Sequence, residues 1–250
     1  MLQKRPITLS LAGFDPCAGA GLLADIKTFE SLQVYGMGVL TANTIQTEDS
    51  FVKIRWEKRA YIIQQLQVIL KRYQPLAIKI GVVESGEDLL SYLEVIKQYT
   101  PQAFIVWDPV LRSSSAFDFT PSSFIQTLQS ILTQIDLITP NYWEIDQLVN
   151  LPLTPVEKAQ FLSNSCAVLL KGGHHPTTKA VDYLFALSEE VVFEPQHIYT
   201  STKHGTGCIL SSAIASYKAA GNTLPQAIRN AKQYLEKILA SNSILLAYHV

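Results

Sequence analysis

Five consecutive residues, His204-Gly205-Thr206-Gly207-Cys208, carry more potential chemistry than any stretch of similar length in this chain. Two glycines within three residues lead into Ile-Leu-Ser-Ser-Ala-Ile-Ala-Ser-Tyr, an apolar, small-residue run with helical spacing. The segment therefore reads as a glycine turn opening a helix. Backbone N–H groups in a first helical turn have no intrahelical partners, and the macrodipole adds partial positive charge there. Gly205 and Gly207 have no side chains to hold a phosphate away from that backbone. Cys208, placed at the helix start, occupies a position that favours a thiolate over a thiol. An anion cradle beside a nucleophile or base is equipment for phosphoryl transfer. The plain structural alternative is a glycine turn before a buried helix with a core cysteine, and five residues alone leave both open.

Other reactive side chains fall just after strand-like runs: Gln46, Asp108, Asn141 with Glu144, and Lys171. Acidic residues able to reach a metal, a lysine after a strand and a glycine helix start are the parts needed for ATP-dependent transfer. Mg²⁺ would bridge phosphate oxygens, Lys171 would neutralise charge, and backbone N–H groups would hold the transferring group. Each has a structural alternative: Asp108-Pro as a turn, Asn141 as a helix cap, Lys171 as a solvated loop lysine. The N-terminal loop Gly13–Gly21 adds Asp15, with Asp25 one turn into the helix that follows, as a dipole-complementing residue or a ligand contact. Its Gly19-x-Gly21 matches neither a dinucleotide fingerprint nor a P-loop.

Those residues need a scaffold, and the chain alternates strand-like and helical runs throughout. Strands are expected over Ile7–Ala12, Tyr35–Ile45, Ala77–Val83, Ala103–Trp107, Asp136–Pro140 and Cys166–Leu170. Phe51–Trp56 suits an edge strand, and Val181–Phe185 with Val191–Phe193 suits a terminal hairpin. Helices are expected from Leu22, over Lys58–Tyr73, Glu87–Tyr99, Ser123–Gln134 and Ile145–Val149, and finally over Cys208–Ala220 and Leu224–Ala247. Ser113-Ser-Ser-Ala reads as a small polar loop. This order predicts one domain over 1–250: a mostly parallel sheet between helical layers, right-handed crossovers, and a ligand cleft at the sheet's carboxyl edge.

Composition fits an enzyme of this kind. Of 250 residues, 48% are hydrophobic and 16% charged, the net charge is −1, and the 20 Lys and Arg are scattered, so no nucleic-acid partner is expected. Cys17, Cys166 and Cys208 make neither a disulfide framework nor a metal cluster by spacing, and His174-His175 lack accompanying ligands. No signal-peptide pattern or membrane-length apolar run is present in the sequence, so a cytoplasmic protein is expected.

Taken together, these segments resemble the hydroxymethylpyrimidine/phosphomethylpyrimidine kinases of thiamine biosynthesis, a branch of the ribokinase superfamily. The resemblance is carried by Ala12-Gly-Phe-Asp-Pro-Cys-Ala-Gly-Ala-Gly-Leu-Leu-Ala-Asp25-Ile-Lys-Thr, Lys79-Ile-Gly81, Asp108-Pro-Val, Thr139-Pro-Asn-x-x-Glu144, Leu170-Lys-Gly-Gly-His174 and His204-Gly-Thr-Gly-Cys208. It implies a ribokinase-like three-layer α/β/α sandwich, a homodimer, and two successive ATP- and Mg²⁺-dependent phosphorylations. These act on 4-amino-5-hydroxymethyl-2-methylpyrimidine and then on its monophosphate. It also implies that Gln46 reads the pyrimidine's polar edge, with Gly13, Asp25 and Val82 on the substrate side. Asn141 and Lys171 fall to the ATP phosphates, Glu144 and Asp108 to the metal, and Gly205, Thr206 and Gly207 to the anion hole. Cys208 stands where sugar kinases of the superfamily carry an aspartate base. Phe14, Cys17-Ala18, the loop Leu111–Phe117 and Ile209 depart from the family pattern. They bear on whether the substrate is the pyrimidine or, alternatively, pyridoxal or pyridoxamine. A non-catalytic pyrimidine-binding relative is the reading from another class.

Overall fold

The computed structural model describes residues 5–112, 119, 122–173, 180–186, 189–199 and 202–249, with the backbone alone at 122 and 123. The polar loop expected at 113–116 and the pair His174-His175 lie outside them.

Among the described residues nine strands form one sheet: β1 (Ile7–Phe14), β2 (Tyr35–Gln46), β3 (Phe51–Trp56), β4 (Ala77–Ile80), β5 (Phe104–Trp107), β6 (Leu137–Ile138), β7 (Ala167–Leu170), β8 (Asp182–Ala186) and β9 (Glu189–Phe193). Their spatial order is β3-β2-β1-β4-β5-β6-β7-β8-β9. All pairings from β2 to β7 are parallel, while β3 and the β8–β9 hairpin pair antiparallel at the two ends. The expected edge strand and terminal hairpin are both found.

Helix α1 (Gly21–Ser31) joins α8 (Thr206–Ala219) and α9 (Leu224–Leu239) on one face. There Phe29, Ile214 and Ile228 pack with Ala77, Val106 and Leu137 of the strands. The other face carries α2 (Arg59–Arg72), α3 (Gly86–Tyr99), α4 (Ser122–Ile125), α5 (Leu128–Leu132), α6 (Tyr142–Leu148) and α7 (Pro155–Leu162). Leu66, Leu93 and Ile131 meet Ile78, Ile80, Ile105 and Trp107 there. Alternate residues of β4 thus enter opposite cores, as the period of two along a strand requires. Three layers result, as expected.

Several boundaries differ from expectation. The helix expected over 123–134 is broken in two, and the Thr127 hydroxyl donates to the Phe124 carbonyl at 3.2 Å, a local bond that competes with the helical ladder. The last helix stops at Leu239 rather than Ala247. Past it, Ser241-Asn242-Ser243 favours turns, and Lys203 Nζ donates to the Asn242 carbonyl at 2.6 Å, tying that segment to the approach to α8. Helix α7 was not anticipated, although Thr154-Pro155-x-Glu157 spells its start: Thr154 and Glu157 form a capping box and proline sits in the first turn. Helix α8 begins two residues earlier than expected, with Gly205 as its N-cap.

Candidate active site

The carboxyl ends of β1, β4, β5, β6 and β7 face the N-terminus of α8, because α8 lies across the sheet's centre and packs on β1, β4 and β5. Chain order changes direction at β1, whose neighbours β2 and β4 lead to opposite sides, and ligands bind at such switch points.

Gly205 has φ +78°, a left-handed conformation, and a Cβ there would stand 2.1 Å from the Gly19 carbonyl oxygen. A side chain at 205 would therefore separate the two glycine loops. Gly207 lies inside the first turn, where a Cβ would stand 3.4 Å from Lys171 Nζ and 3.5 Å from Asp108 Oδ2. The free N–H groups of α8 thus open next to a cationic side chain. Asp108 follows β5, and its Oδ1 accepts from Lys171 Nζ at 2.7 Å and from the Thr139 hydroxyl at 3.1 Å. Glu144 lies 3.7 Å from the same ammonium. Asn141 and Glu144 cap α6 reciprocally: Asn141 N–H donates to Glu144 Oε2 at 2.7 Å, and Glu144 N–H donates to Asn141 Oδ1 at 2.8 Å. Capping and site-building therefore coincide in these two residues.

Two buried carboxylates share one lysine here. Burial disfavours ionised Asp108, but Lys171 and Lys79 outweigh it and hold the carboxyl below its usual range. Glu144 lacks so close a partner. Burial pushes it up to about 7, with Lys171 opposing and Asp108 adding to the rise. Lys171 is desolvated too, but Asp108 and Glu144 keep its ammonium charged. A buried donor set with two carboxylate groups against one cation accommodates a second cation, and hard oxygen ligands suit Mg²⁺.

Beside this cluster lies an open pocket lined in part by Gly13, Gln46, Val82 and Cys208. Gln46 sits at a bulge where β2 meets β3, and its amide has no hydrogen-bond partner among the described residues. Bulges re-aim side chains, and an unpaired amide presents both a donor and an acceptor. Phe14, Phe51 and Phe119 give the pocket an aromatic wall, Phe51 and Phe119 meeting edge-on with centroids 5.3 Å apart. Phe14, a departure noted in the sequence, is therefore at the ligand space.

Two expectations change. Asp25 is fully buried and does not line the pocket: its carboxylate accepts from Lys79 Nζ at 2.9 and 2.8 Å and from the Ser10 and Ser212 hydroxyls at 2.5 Å each. The substrate contact expected of Asp25 is replaced by a carboxylate beneath the pocket floor with its acceptor positions filled. Cys208 was expected to favour its thiolate. Burial instead pushes its thiol up to about 11, against the lowering effect of Lys79 and the Gly21 N–H, with Asp25 and Asp108 raising it further. Desolvation outweighs the helix terminus.

Two groups named in the sequence had no role assigned there. Lys79, in mid-strand, reaches the pocket lining from a fully buried position. Its register partner on β1, Ser10, donates to the same Asp25 carboxylate, and that carboxylate is what lets a lysine stand in a core strand. Asp15, Cys17 and His204 converge as well, with ligand-capable atoms all within 4.8 Å of one another. Asp15 is desolvated, but bonds from His204, Cys17 and Ala20 outweigh that and take its carboxyl down to about 2. This cluster ties the Gly13–Gly21 loop to the approach to α8, since His204 Nε2 lies 3.0 Å from Asp15 Oδ2.

Comparison with known proteins gives a consistent picture. The family described as phosphomethylpyrimidine kinase matches residues 15–249. A hydroxymethylpyrimidine/phosphomethylpyrimidine kinase of Staphylococcus aureus strain MSSA476 is 32% identical over 241 residues, covering 93% of this chain and 87% of the relative. The solved phosphomethylpyrimidine kinase of Clostridium difficile 630 superposes with a TM-score of 0.77 at 30% identity, covering 93% of this chain and 99% of that one. The pyridoxal kinase of Staphylococcus aureus, solved in complex with AMP-PCP, gives a TM-score of 0.83 at 26% identity, covering 95% of this chain and 89% of that one.

Proposed function

The chain belongs to the phosphomethylpyrimidine kinase family, and from that premise we propose how its own residues perform the family's reaction. It is an ATP-dependent kinase of ribokinase-like fold that phosphorylates 4-amino-5-hydroxymethyl-2-methylpyrimidine and then the monophosphate. The observation that carries the site assignment is the opening of the α8 N-terminus onto Lys171 and Asp108, next to a pocket whose lining includes Cys208.

In this reading the pyrimidine ring lies among Phe14, Val82 and Gly13, and the Gln46 amide pairs with its amino group and ring nitrogen. The hydroxymethyl oxygen reaches Cys208. Lys171 and Asn141 receive the ATP phosphates. The N–H groups of Gly205, Thr206 and Gly207 hold the transferring phosphoryl group, where charge accumulates on its oxygens. Glu144 and Asp108 would hold Mg²⁺, which supplies further neutralisation of phosphate charge. Cys208 takes the hydroxyl proton in its ionised form, which burial keeps scarce. A loose transition state needs little activation of the nucleophile, so the anion hole contributes more to rate than the base.

A pyridoxal kinase activity is the second reading, favoured by the superposition on a protein of that name and by Phe14 at the pocket. Comparing kcat/KM for hydroxymethylpyrimidine, its monophosphate and pyridoxal separates the two. Higher values for both pyrimidines, with Gln46→Ala raising pyrimidine KM tenfold or more, support the first reading. Preference for pyridoxal overturns it and moves specificity to Phe14. No helix among the described residues is long and apolar enough to cross a membrane. A homodimer follows from the family resemblance and is tested by light scattering on the purified chain.

A further inference from the structure

The buried ion pair beneath the pocket does more than fill space. Lys79 is fully buried, and both of its close contacts go to one carboxylate, Asp25, at 2.9 and 2.8 Å. Asp25 in turn is held by Ser10 of β1 and by Ser212 of α8. Ser212 lies four residues after Cys208, one helical turn further along α8. The network therefore pins the ammonium against the face of α8 that carries Cys208, and both groups line the pocket. A Cβ at Gly81 would stand 3.0 Å from Lys79 Nζ, so the glycine leaves the ammonium its space. An ammonium has three donors. Burying a lysine and an aspartate in full is costly where an apolar pair would pack as well.

We propose that Lys79 is a positioning residue of the reaction, its ammonium stabilising the ionised sulfur of Cys208 that takes the substrate proton. This rests on the kinase reading of the site. In the step it serves, the hydroxyl proton passes to the sulfur and the freed oxygen bonds to the γ-phosphorus. The phosphorus–oxygen bond to ADP breaks, and its electron pair leaves with ADP. The charged groups acting on Cys208 are Lys79 from β4, Asp25 from α1, Asp108 after β5 and Lys171 after β7. Both lysines are paired, Lys171 with Asp108 at 2.7 Å and Lys79 with Asp25, but of the two it is Lys79 that lines the pocket together with Cys208.

The test is alkylation of Cys208 by iodoacetamide across pH 6 to 11, read peptide by peptide so that Cys17 and Cys166 do not interfere. It requires no turnover, so its failure is separable from failure of the kinase reading. With the thiol at about 11 the rate rises with pH across this range, and the displacement of the rising limb along the pH axis reports the shift in midpoint. Lys79→Met and Asp25→Asn break the same ion pair. A purely structural role moves both midpoints together or neither. The proposal requires opposite directions: slower alkylation at pH 8 by about tenfold in Lys79→Met, one unit in midpoint, and faster alkylation in Asp25→Asn. Lys79→Arg keeps the charge and the wild-type midpoint. Should Lys79→Met fail to fold, Lys79→Gln takes its place with Lys79→Arg as the charge-keeping control, and a wild-type midpoint in the neutral variant overturns the proposal.

Discussion

Replacing Gly207 with alanine separates stability from function at the α8 N-terminus. A Cβ at this position meets no backbone, and its two neighbours are Lys171 Nζ at 3.4 Å and Asp108 Oδ2 at 3.5 Å. Those are ordinary van der Waals distances, so the folded chain accommodates the methyl group. Residue 207 lies within the helix, and the left-handed requirement falls on Gly205. Alanine is favoured over glycine in a helix by up to about 1 kcal/mol, less in a first turn than in the interior. For a chain of this size, 1 kcal/mol corresponds to roughly 2–4 °C in Tm. Gly207→Ala is therefore expected to hold or slightly raise the melting temperature. Activity should move the other way. The methyl group stands between the helix N–H groups and Lys171, in the space assigned to the transferring phosphoryl group. Loss of one such donor site costs about 10²–10³ in kcat. Differential scanning fluorimetry and steady-state ADP release measure both quantities on one preparation. A variant with wild-type kcat refutes the placement of the phosphoryl group, and a fall of many degrees in Tm refutes the packing argument.

Gly205→Ala is expected to behave oppositely, losing several kcal/mol of stability because φ +78° and the Gly19 carbonyl at 2.1 Å both exclude a side chain; chemical denaturation measures it. With the Cys208 thiol at about 11, log kcat/KM should rise with pH at close to unit slope between pH 7 and 9, whereas a plateau already reached at pH 7 removes Cys208 as the base. Glu144→Gln should raise the Mg²⁺ concentration required at pH 8 by about tenfold while raising stability there. The sign follows from a folded carboxyl held near 7, above its unfolded value, which costs stability as pH rises through that range, so urea unfolding at pH 5 and pH 8 reads the difference. Asp15→Asn should cost about 2 kcal/mol at pH 7, because a carboxyl lowered to about 2 stabilises the fold above its unfolded range and loses that contribution as pH falls. Acid titration of the two proteins should therefore converge towards pH 2.

Much of the architecture was legible because local signals and sheet topology agree. Alternating strand and helix runs dictate a parallel sheet between helices, and residues just after strands gather at one edge. Gly207, Lys171, Asp108 and Glu144 were found that way and do meet. Failures occurred where tertiary burial outweighs a local rule. Cys208 obeys the helix-terminus argument in position but not in ionisation, since desolvation is the larger effect. Asp25 was read from its place near a glycine loop, whereas its partners Lys79 and Ser212 are 54 and 187 residues away in sequence. No local pattern encodes such pairings. His204 and Asp15, 189 residues apart, escaped for the same reason. Thr154-Pro155-x-Glu157 differs: its helix-start signal was present and unused.

The most direct measurement is ³¹P NMR of the purified chain with Mg·ATP and 4-amino-5-hydroxymethyl-2-methylpyrimidine. A phosphomonoester resonance should grow with stoichiometric ADP and then give way to a diphosphate. Release of inorganic phosphate with no phosphate ester, or a spectrum that stays ATP alone, would contradict the assignment of this site to kinase chemistry on that alcohol.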